Sequence, residues 1–571
     1  MLLPPAVATV LLALPWLWPW TGGPSVAVVP WLATLACVAL ALLLAPGANA
    51  RAAGDESRLV RLAATSWLLA AGVSAGIGVA QFAGWPAVWA AAGADGAGGP
   101  LAALARWGAS WVNTPPAGEV YGNLRQRNQF ATLMNIGLAA LLFVATRWAG
   151  PGNRAGAQGP LANARAQTPT QAQTQTRVAP LSASAAALAP WALAALLVAG
   201  NVLSKSRTGL AELVLLCALA WVWAAHRPRG LRRWVAALLP LYAVFSLALA
   251  ALGHPAVWQR MTDNAPACSS RIALWRNVLA LIAQKPWGGW GWGELDYAHY
   301  AHLYGGERFC DILDNAHNLP LHLAVELGLP LALAACALVA WGLWRGQPWR
   351  EAHPARQLAW SVLAVLALHS LLEYPLWYGP FQLALWLALG VLWRVPHQPH
   401  PPHVAAAATT MATATAATAN YEQNQPLSPV KWRLFAIVLI VMTAGAAWDY
   451  HRISQLYRLP EERAAAYRTD TLAKVSGSWL FDSPVAFAAL TTTPLTPGNA
   501  AQQFAQASAL LHYSPEPRII ERVIESAVML HRDDAALWHL ARFRAAFPVE
   551  HAAWAAALAR PVSTAAGAGA P

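Results

Sequence analysis

The chain has 571 residues, of which 57% are apolar and only 11% are charged. A soluble domain typically carries about 25% charged residues, because its surface has to be hydrated. This composition excludes a soluble enzyme, a coiled coil and a disordered protein as descriptions of the whole chain. Continuous apolar runs of about 20 residues recur along it, and that length crosses a bilayer as a helix. Since the runs do not alternate as the strands of a β-barrel do, they predict a polytopic α-helical membrane protein.

The net charge of +12 comes from 38 lysine and arginine residues against 26 aspartate and glutamate residues. In a soluble protein this balance would indicate a nucleic-acid partner. Here the arginines lie mostly in short loops between apolar runs, where positive charge sets membrane topology. We therefore predict no nucleic-acid partner. Tryptophans near the ends of the runs, among them Trp16, Trp89 and Trp290, are typical of the aromatic belt at a membrane surface.

The apolar runs predict eleven membrane-spanning helices in an all-α protein. Arginine is densest in loops such as 226–233, so the positive-inside rule places these loops and the N-terminus in the cytoplasm. This orientation puts the long segment 253–318 and the C-terminal tail on the opposite side. The predicted spans are residues 4–20, 26–45, 60–82, 128–147, 186–203, 208–225, 232–252, 319–344, 357–372, 377–394 and 432–448.

The C-terminal tail differs from the rest of the chain in composition. Helical spacing of apolar residues over 460–475 and 517–547 predicts amphipathic helices in a small domain, with a weak likeness to helix-hairpin repeats. The predicted parts of the chain are a transmembrane core at 1–395 with its large loop 253–318, a low-complexity cytoplasmic linker at 396–430, a last transmembrane helix at 431–448 and a helical domain at 449–571.

Two polar motifs lie where predicted spans begin. The first occupies 121–129 and carries Arg125, Arg127 and Gln129, and the second places Arg207 at the start of a later span. A helix N-terminus offers free N–H groups and a positive dipole end, and an arginine beside it suits a phosphate. The alternative for both motifs is an ordinary helix start whose arginines extend toward the membrane surface.

The long outer segment contributes a third motif. An amphipathic helix is predicted from Arg271 to about residue 284, with Arg271 and Trp275 on one face. It is followed by a loop at 286–293 rich in glycine and tryptophan. Tryptophan rings stack well on sugars, and glycine lets the backbone approach a ligand closely. The alternative is a stretch of the interfacial aromatic belt.

Two further motifs carry isolated titratable residues near span ends. His317 precedes Pro320, which fits the first turn of a helix, so His317 lies at the mouth of a span. A single histidine there is either functional or a structural residue with satisfied hydrogen bonds. Glu373 near the membrane boundary requires a cationic partner, for which Arg207 and Arg271 are the candidates. The alternative is a simple turn in which a proline ends the preceding helix.

These motifs occur in a fixed order at 122–129, 206–209, 270–275, 317–318 with 326–330, and 369–376. In that order they resemble the O-antigen ligase and polymerase superfamily of bacterial inner membranes. Within it they are most similar to the O-oligosaccharyltransferases that glycosylate pilins and other exported proteins. The resemblance implies a multi-pass inner-membrane enzyme whose active site faces the periplasm. It also implies transfer of a preassembled oligosaccharide from undecaprenyl pyrophosphate to Ser or Thr hydroxyls of an acceptor protein, without a metal or cofactor.

The resemblance also implies roles for particular residues. Arg207 and Arg271 would hold the pyrophosphate, and His317 would orient or deprotonate the acceptor hydroxyl. Gln129 and Tyr374 match positions associated with the protein-directed branch. We add three donor- or acceptor-positioning residues on the basis of charge and placement alone, which are Arg125, Arg127 and Glu373.

The chemistry is consistent with these roles. Guanidinium groups stabilise a departing pyrophosphate without a metal. A histidine accepts the acceptor proton at neutral pH. Direct displacement inverts the anomeric carbon. Two functions with the same chemistry stay open, namely O-antigen ligation to lipid A core and glycan polymerisation. A transporter of lipid-linked glycan is a third alternative, but it would place charged pairs near the membrane midplane.

The five cysteines fall into two groups. Cys37, Cys217 and Cys336 lie inside predicted spans and are expected to be reduced and buried. Cys268 and Cys310 lie in the outer segment, where an oxidising compartment favours pairing. We therefore predict a disulfide between them that ties the Arg271 helix to the segment bearing His317. The alternative is two unpaired thiols in a mobile loop.

Overall fold

The computed structural model describes residues 5–44, 55–94, 100–148, 181–224, 229–254, 267–397 and 429–559. Within these ranges the regular structure is helical, apart from one isolated bridge between Gly22 and Ser25. Most of the predicted linker at 396–430 lies outside the described residues. The helices are α1 Pro5–Leu17, α2 Val28–Leu43, α3 Asp55–Phe82, α4 Trp85–Ala94, α5 Pro100–Ser110, α6 Arg127–Trp148, α7 Leu181–Ser204, α8 Arg207–Ala224, α9 Arg229–Ala251, α10 Arg271–Gln284, α11 Leu295–Ala301, α12 Leu319–Leu327, α13 Leu329–Gly346, α14 Pro354–Ser370, α15 Gly379–Arg394, α16 Pro429–Ser454, α17 Thr471–Val475, α18 Asp482–Thr492, α19 Ala500–Leu510, α20 Pro517–Met529, α21 Asp533–Ala546 and α22 Pro548–Leu558.

Helices lie at all eleven positions where the sequence predicts spans. Among the described residues, six helices are long and apolar enough to cross a membrane, namely α3, α6, α8, α9, α13 and α16. Three shorter apolar helices, α1, α2 and the C-terminal part of α7, accompany them. The all-helical membrane class is therefore supported, whereas the number of eleven crossings stays a prediction.

The predicted span at 319–344 is wrong in one respect, because it is two helices rather than one. Gly328 separates α12 from α13 with a φ of 86°. The N–H of Leu329 donates to the carbonyl of Pro286 at 2.8 Å instead of continuing the α12 ladder. A second correction concerns Cys336 on α13, which is exposed rather than buried. Its neighbours Leu333 and Val339 are exposed as well, so this helix has an outward apolar face.

One compact unit comprises residues 1–21, 26–263 and 343–445. Helix α6 is its centre, since α3, α7, α8 and α14 all pack against it. Every residue from Gln129 to Phe143 is buried. Close approach of α8 depends on Gly209, because a Cβ there would overlap Ala131 of α6. The start of α6 is therefore held inside the bundle rather than at its surface.

The second compact unit joins residues 22–25, 264–342 and 446–571. Its described part contains α10–α12 and the C-terminal helices α17–α22. Tyr300 of α11 is buried in the same apolar cluster as Ile519, Ile520 and Val523 of α20. The hydroxyl of Tyr300 lies 2.8 Å from Nδ1 of His539, within hydrogen-bonding distance. The C-terminal helices thus share a core with the segment that follows Cys268.

The amphipathic helices predicted in the tail are present only in part. Helices α20 and α21 occupy the predicted 517–547 region. Over 460–475, in contrast, the chain forms two short turns and the five-residue α17. Side chains satisfy the backbone there: Lys474 Nζ donates to the carbonyls of Ala466 at 2.9 Å and Thr469 at 2.8 Å. These bonds replace the helical ladder.

Candidate functional site

The segment before α6 is fixed by a buried glutamine of α3. Nε2 of Gln81 donates to the carbonyls of Asn113 and Gly122, both at 2.8 Å. Its Oε1 accepts from the N–H groups of Tyr121 at 3.1 Å and Gly122 at 2.8 Å. Both ends of the Gln81 amide therefore hydrogen-bond to the backbone of one loop, residues 113–122. The polar motif at 121–129 therefore enters α6 on a preorganised backbone.

The two arginines of this motif have different surroundings. Nη2 of Arg125 donates to the carbonyl of Pro19 at 2.9 Å and to Oδ1 of Asn113 at 3.2 Å. Arg127, the first residue of α6, forms an ion pair with Glu119 at 2.7 Å. The contacts of Arg125 are those of a residue that holds the loop. Arg127 places its guanidinium group at the helix N-terminus, where a phosphate would also be stabilised.

The start of α8 adds further cations to the same unit. Ser206 caps this helix, since its Oγ accepts from the N–H of Gly209 at 2.9 Å. Arg207 follows as the first helical residue and is exposed. The preceding Lys205 donates through Nζ to the carbonyl of Gly118 at 2.9 Å. Gly118 directly precedes Glu119, the partner of Arg127, so Lys205 and Arg127 both contact the loop that contains residues 118 and 119.

Lys205 was not singled out by the sequence analysis. Its pKa is lowered by partial burial and by the Arg127 guanidinium, while Glu119 opposes both effects. A partly buried ammonium beside a guanidinium gains stability from an anion. In the sequence, the only signal for Lys205 was its position two residues before Arg207. In the structure, Lys205 lies in the turn before α8 with a φ of 54°.

Gln129 is almost completely buried, with 1% of its surface exposed. Its Nε2 has no hydrogen-bond partner among the described residues. A buried amide donor without an acceptor costs about 1–3 kcal/mol. An oxygen atom of a bound ligand would satisfy it. This observation agrees with the ligand-positioning role that the sequence resemblance implies for Gln129.

The Glu-Tyr-Pro turn is connected to α6 through Asn128. Its Nδ2 donates to Oε1 of the buried Glu373 at 2.9 Å, and its Oδ1 accepts from Ser206 Oγ at 2.6 Å. The structure thus gives Glu373 an amide donor, and the cationic partner expected from the sequence stays a prediction. Tyr374 is half-buried, and its ring is nearly parallel to that of Tyr378, with centroids 6.0 Å apart.

Four polar side chains that the sequence analysis left without a role meet below this turn. Thr132 and Asn135 of α6 both donate to the carboxylate of Glu212 on α8, at 2.7 and 2.9 Å. Nδ1 of His369 on α14 lies 2.7 Å from the Thr132 hydroxyl. All four residues are completely buried. The available signals were Glu212, a single acidic residue inside an apolar run, and His369 at the start of the motif at 369–376.

In the second unit, α10 begins at Arg271, and Ser270 caps it by accepting from the N–H of Ala273 at 3.1 Å. One turn later, Nε1 of Trp275 donates to the carbonyl of Ala316 at 3.1 Å. Ala316 directly precedes His317. The structure therefore brings the Arg271 helix and the histidine segment together.

Two other features fix the histidine segment. Cys268 and Cys310 form a disulfide whose Cα atoms are 5.3 Å apart, so the pair expected from the sequence is connected. His317 has a left-handed backbone with a φ of 50°. Its N–H donates to Oδ1 of Asn315 at 2.9 Å, and Asn318 caps α12 by accepting from the N–H of Leu321 at 3.1 Å. His317 thus sits in a constrained turn at a helix start.

The glycines of the 286–293 loop serve backbone pairing. The N–H groups of Trp290 and Gly291 donate to the carbonyls of Val325 and Glu326, both at 2.9 Å. Trp287 and Trp292 are exposed by 80% and 63%. The loop is therefore held against the end of α12 by these two hydrogen bonds, which we call the clip, and the indole rings of Trp287 and Trp292 lie outside the core.

The residues predicted from the sequence fall into two groups. The first unit contains Arg125, Arg127, Gln129, Arg207, Glu373 and Tyr374, and the second contains Cys268, Arg271, Cys310 and His317.

Fold and motifs together define a helical membrane protein whose predicted site residues lie at helix starts and in the turns beside them. Three protein families match consecutive parts of the chain. The family described as "Protein glycosylation ligase" matches residues 120–144, "O-Antigen ligase" matches 192–336, and "Virulence factor membrane-bound polymerase, C-terminal" matches 357–560. These matches confirm the resemblance to the O-antigen ligase and polymerase superfamily that the motifs indicated.

A curated relative supports the protein-directed branch. The chain is 27% identical over 213 residues to the general O-oligosaccharyltransferase of Acinetobacter baylyi (strain ATCC 33305 / BD413 / ADP1). The alignment covers 35% of this chain and 37% of the relative, so about a third of each protein is compared. No solved structure matches the chain.

Proposed function

We propose that this protein is an O-oligosaccharyltransferase of the bacterial inner membrane. It transfers a preassembled oligosaccharide en bloc from undecaprenyl pyrophosphate to Ser or Thr hydroxyls of exported proteins such as pilin, at the periplasmic face. The observation that carries the proposal is the buried, unpartnered amide donor of Gln129 at the start of α6. Gln129 lies two residues after Arg127 in the chain and within the segment that matches a protein glycosylation ligase.

The cations suit the leaving group. Arg207 is exposed at the N-terminus of α8, and Arg127 and Lys205 meet the loop that carries Glu119. Pyrophosphate carries several negative charges, and guanidinium groups bind it through paired hydrogen bonds. We assign Arg207, together with Arg271 of the second unit, to the pyrophosphate. Their charge stabilises the transition state in which the sugar leaves, so we propose metal-independent catalysis.

The proposed reaction is a single displacement. The acceptor oxygen forms a bond to the anomeric carbon while the bond from that carbon to the pyrophosphate oxygen breaks. The bonding electrons leave with undecaprenyl pyrophosphate, and the acceptor proton passes to His317. Attack opposite the leaving group inverts the anomeric carbon. Gln129, Tyr374 and Glu373 position donor and acceptor, and Arg125 holds the loop that leads into α6.

Purified full-length protein tests this proposal with a lipid-linked oligosaccharide and three acceptors in parallel. The acceptors are a pilin, lipid A core, and the glycan itself. We expect glycan on pilin, in chelator as well as in magnesium. Glycan only on lipid A core would indicate an O-antigen ligase. The match of residues 357–560 to a membrane-bound polymerase family favours polymerisation as the second candidate, which would give a ladder of glycan lengths instead.

His317 is tested best by His317→Asn. Asparagine tolerates a left-handed backbone better than most residues, so this variant keeps the turn while removing the imidazole. We expect normal expression and loss of transfer. Near-normal transfer would contradict the assignment of His317 to the acceptor proton.

A further inference from the structure

We propose that Thr132, Asn135, Glu212 and His369 are positioning residues for glycan transfer, a role that rests on the proposed function above. We call these four side chains the buried polar cluster. They come from three helices, α6, α8 and α14, and each is completely buried. The cluster holds the starts of α6 and α8, which carry Gln129 and Arg207, in one fixed relation.

The hydrogen bonds of the cluster form one connected set. A hydroxyl has a single proton, and an ionised carboxylate can only accept. The distances fit an arrangement in which Thr132 donates to Glu212 and the Nδ1–H of His369 donates to the Thr132 oxygen, with 2.7 Å in both cases, and the carbonyl of Asn128 is a second acceptor near the Thr132 hydroxyl at 2.9 Å. Nδ2 of Asn135 donates to the second carboxylate oxygen of Glu212 at 2.9 Å. His369 Nδ1 is 3.7 Å from Glu212 itself.

The cluster extends to the helix starts by short steps. Asn135 Nδ2 also reaches the carbonyl of Gly209 at 2.9 Å, one turn below the cap of α8. Gly209 donates its N–H to Ser206 Oγ, which in turn donates to Asn128 Oδ1 at 2.6 Å. Asn128 directly precedes Gln129. A displacement of Glu212 is therefore transmitted to the first residues of α6 and α8, which include Gln129 and Arg207.

The placement of Glu212 argues for function rather than packing alone. A carboxylate inside an apolar helix bundle is costly to bury, and three apolar helices can pack without one. Polar side chains between membrane helices generally add only modest stability. A hydrogen-bonded polar cluster does, however, specify one relative position of the helices, which a catalytic site requires.

The test uses the full-length protein with lipid-linked oligosaccharide and pilin, and compares Thr132→Val with Thr132→Ser. Valine keeps the shape of threonine without the hydroxyl, whereas serine keeps the hydroxyl. The matched control is Thr443→Val, because Thr443 is also buried in a membrane helix and its hydroxyl has no hydrogen-bond partner among the described residues. Both kcat per folded molecule and the KM for the lipid-linked donor are measured.

We expect Thr132→Val to lower kcat about 10-fold per folded molecule with a less than threefold change in KM, and we expect serine to restore it. Thr443→Val should behave as wild type. The double variant Thr132→Val with Glu212→Gln should lose no more than the worse single variant, because both break the same connection.

Several outcomes would overturn the inference. One is a normal kcat per folded molecule in Thr132→Val, with only the folded yield reduced, which is the result of a purely structural role. Others are a serine variant as poor as valine, or losses that multiply in the double variant. If wild type transfers glycan to no acceptor, the proposed function fails as well, and this outcome is distinct from an active wild type with an active Thr132→Val.

Discussion

Replacing Gly289 by alanine should open the clip between the 286–293 loop and the α12–α13 junction. Gly289 has a φ of 70°, and a Cβ at this position would overlap the carbonyl group of Glu326. Neither atom belongs to a flexible side chain, so one of the two backbone segments must move. The hydrogen bonds from Trp290 to Val325 and from Gly291 to Glu326, both 2.9 Å, are the ones that would be lost.

The magnitude follows from two contributions. A residue with a Cβ in the left-handed region costs about 1 kcal/mol relative to glycine. Two lost backbone hydrogen bonds cost about 1 kcal/mol each. The total of about 3 kcal/mol corresponds to a roughly 100-fold increase in the open population of the clip. Hydrogen exchange of full-length protein measures this population directly at the amides of Trp290 and Gly291.

The chain offers two matched controls in the same loop. At Gly288 the backbone is ordinary and a Cβ meets nothing within 4 Å, so Gly288→Ala should leave exchange unchanged. Gly293 has a φ of 80° with open space around it, so Gly293→Ala isolates the backbone strain and should raise exchange about fivefold. If Gly289→Ala exchanges no faster than Gly293→Ala, the overlap with Glu326 carries no energy and the reasoning is refuted.

Three further predictions concern the charges and the covalent link. Arg207→Lys and Arg271→Lys keep a positive charge but lose the planar pair of donors, so each should lose most transfer activity; two fully active lysine variants would mean that only net charge matters. Cys268→Ser removes the cross-link across 42 residues, and the chain-entropy estimate predicts a loss of about 4 kcal/mol in the stability of this segment, seen as rapid proteolysis, whereas unchanged resistance would contradict it. Burial, with a smaller effect of Arg308, lowers the pKa of His299 from 6.5 to about 3, so the folded protein keeps this ring neutral. The stability of its surroundings should therefore fall as the pH drops below 6.5, by about 2 kcal/mol at pH 5. The exchange of nearby amides in wild type and His299→Gln should diverge accordingly between pH 7 and pH 5; parallel curves would exclude this linkage.

The length of the apolar runs was sufficient to predict where the apolar helices lie, apart from the break at Gly328. Runs of about 20 apolar residues have few stable alternatives to a helix, because backbone groups in lipid must be paired within the segment. Local capping was readable in the same way: α10 begins at the predicted Arg271 after Ser270, and α12 has Pro320 in its first turn. The pairing of Cys268 with Cys310 needed only the assignment of both residues to one outer segment. These features depend on neighbours in sequence or on the membrane, so no tertiary information was required.

Contacts between distant residues were decided only by the tertiary structure. Gly328 ends a helix because the carbonyl of Pro286 accepts the next N–H, and nothing in the local apolar pattern indicates that bond. Thr132 meets Glu212 across 80 residues and His369 across 237. In sequence, Thr132 and Glu212 are single polar residues that could face lipid, water or protein, and the motif that contains His369 does not indicate which residues it contacts. Helix packing sets which faces meet, and burial then favours polar groups that hydrogen-bond to one another.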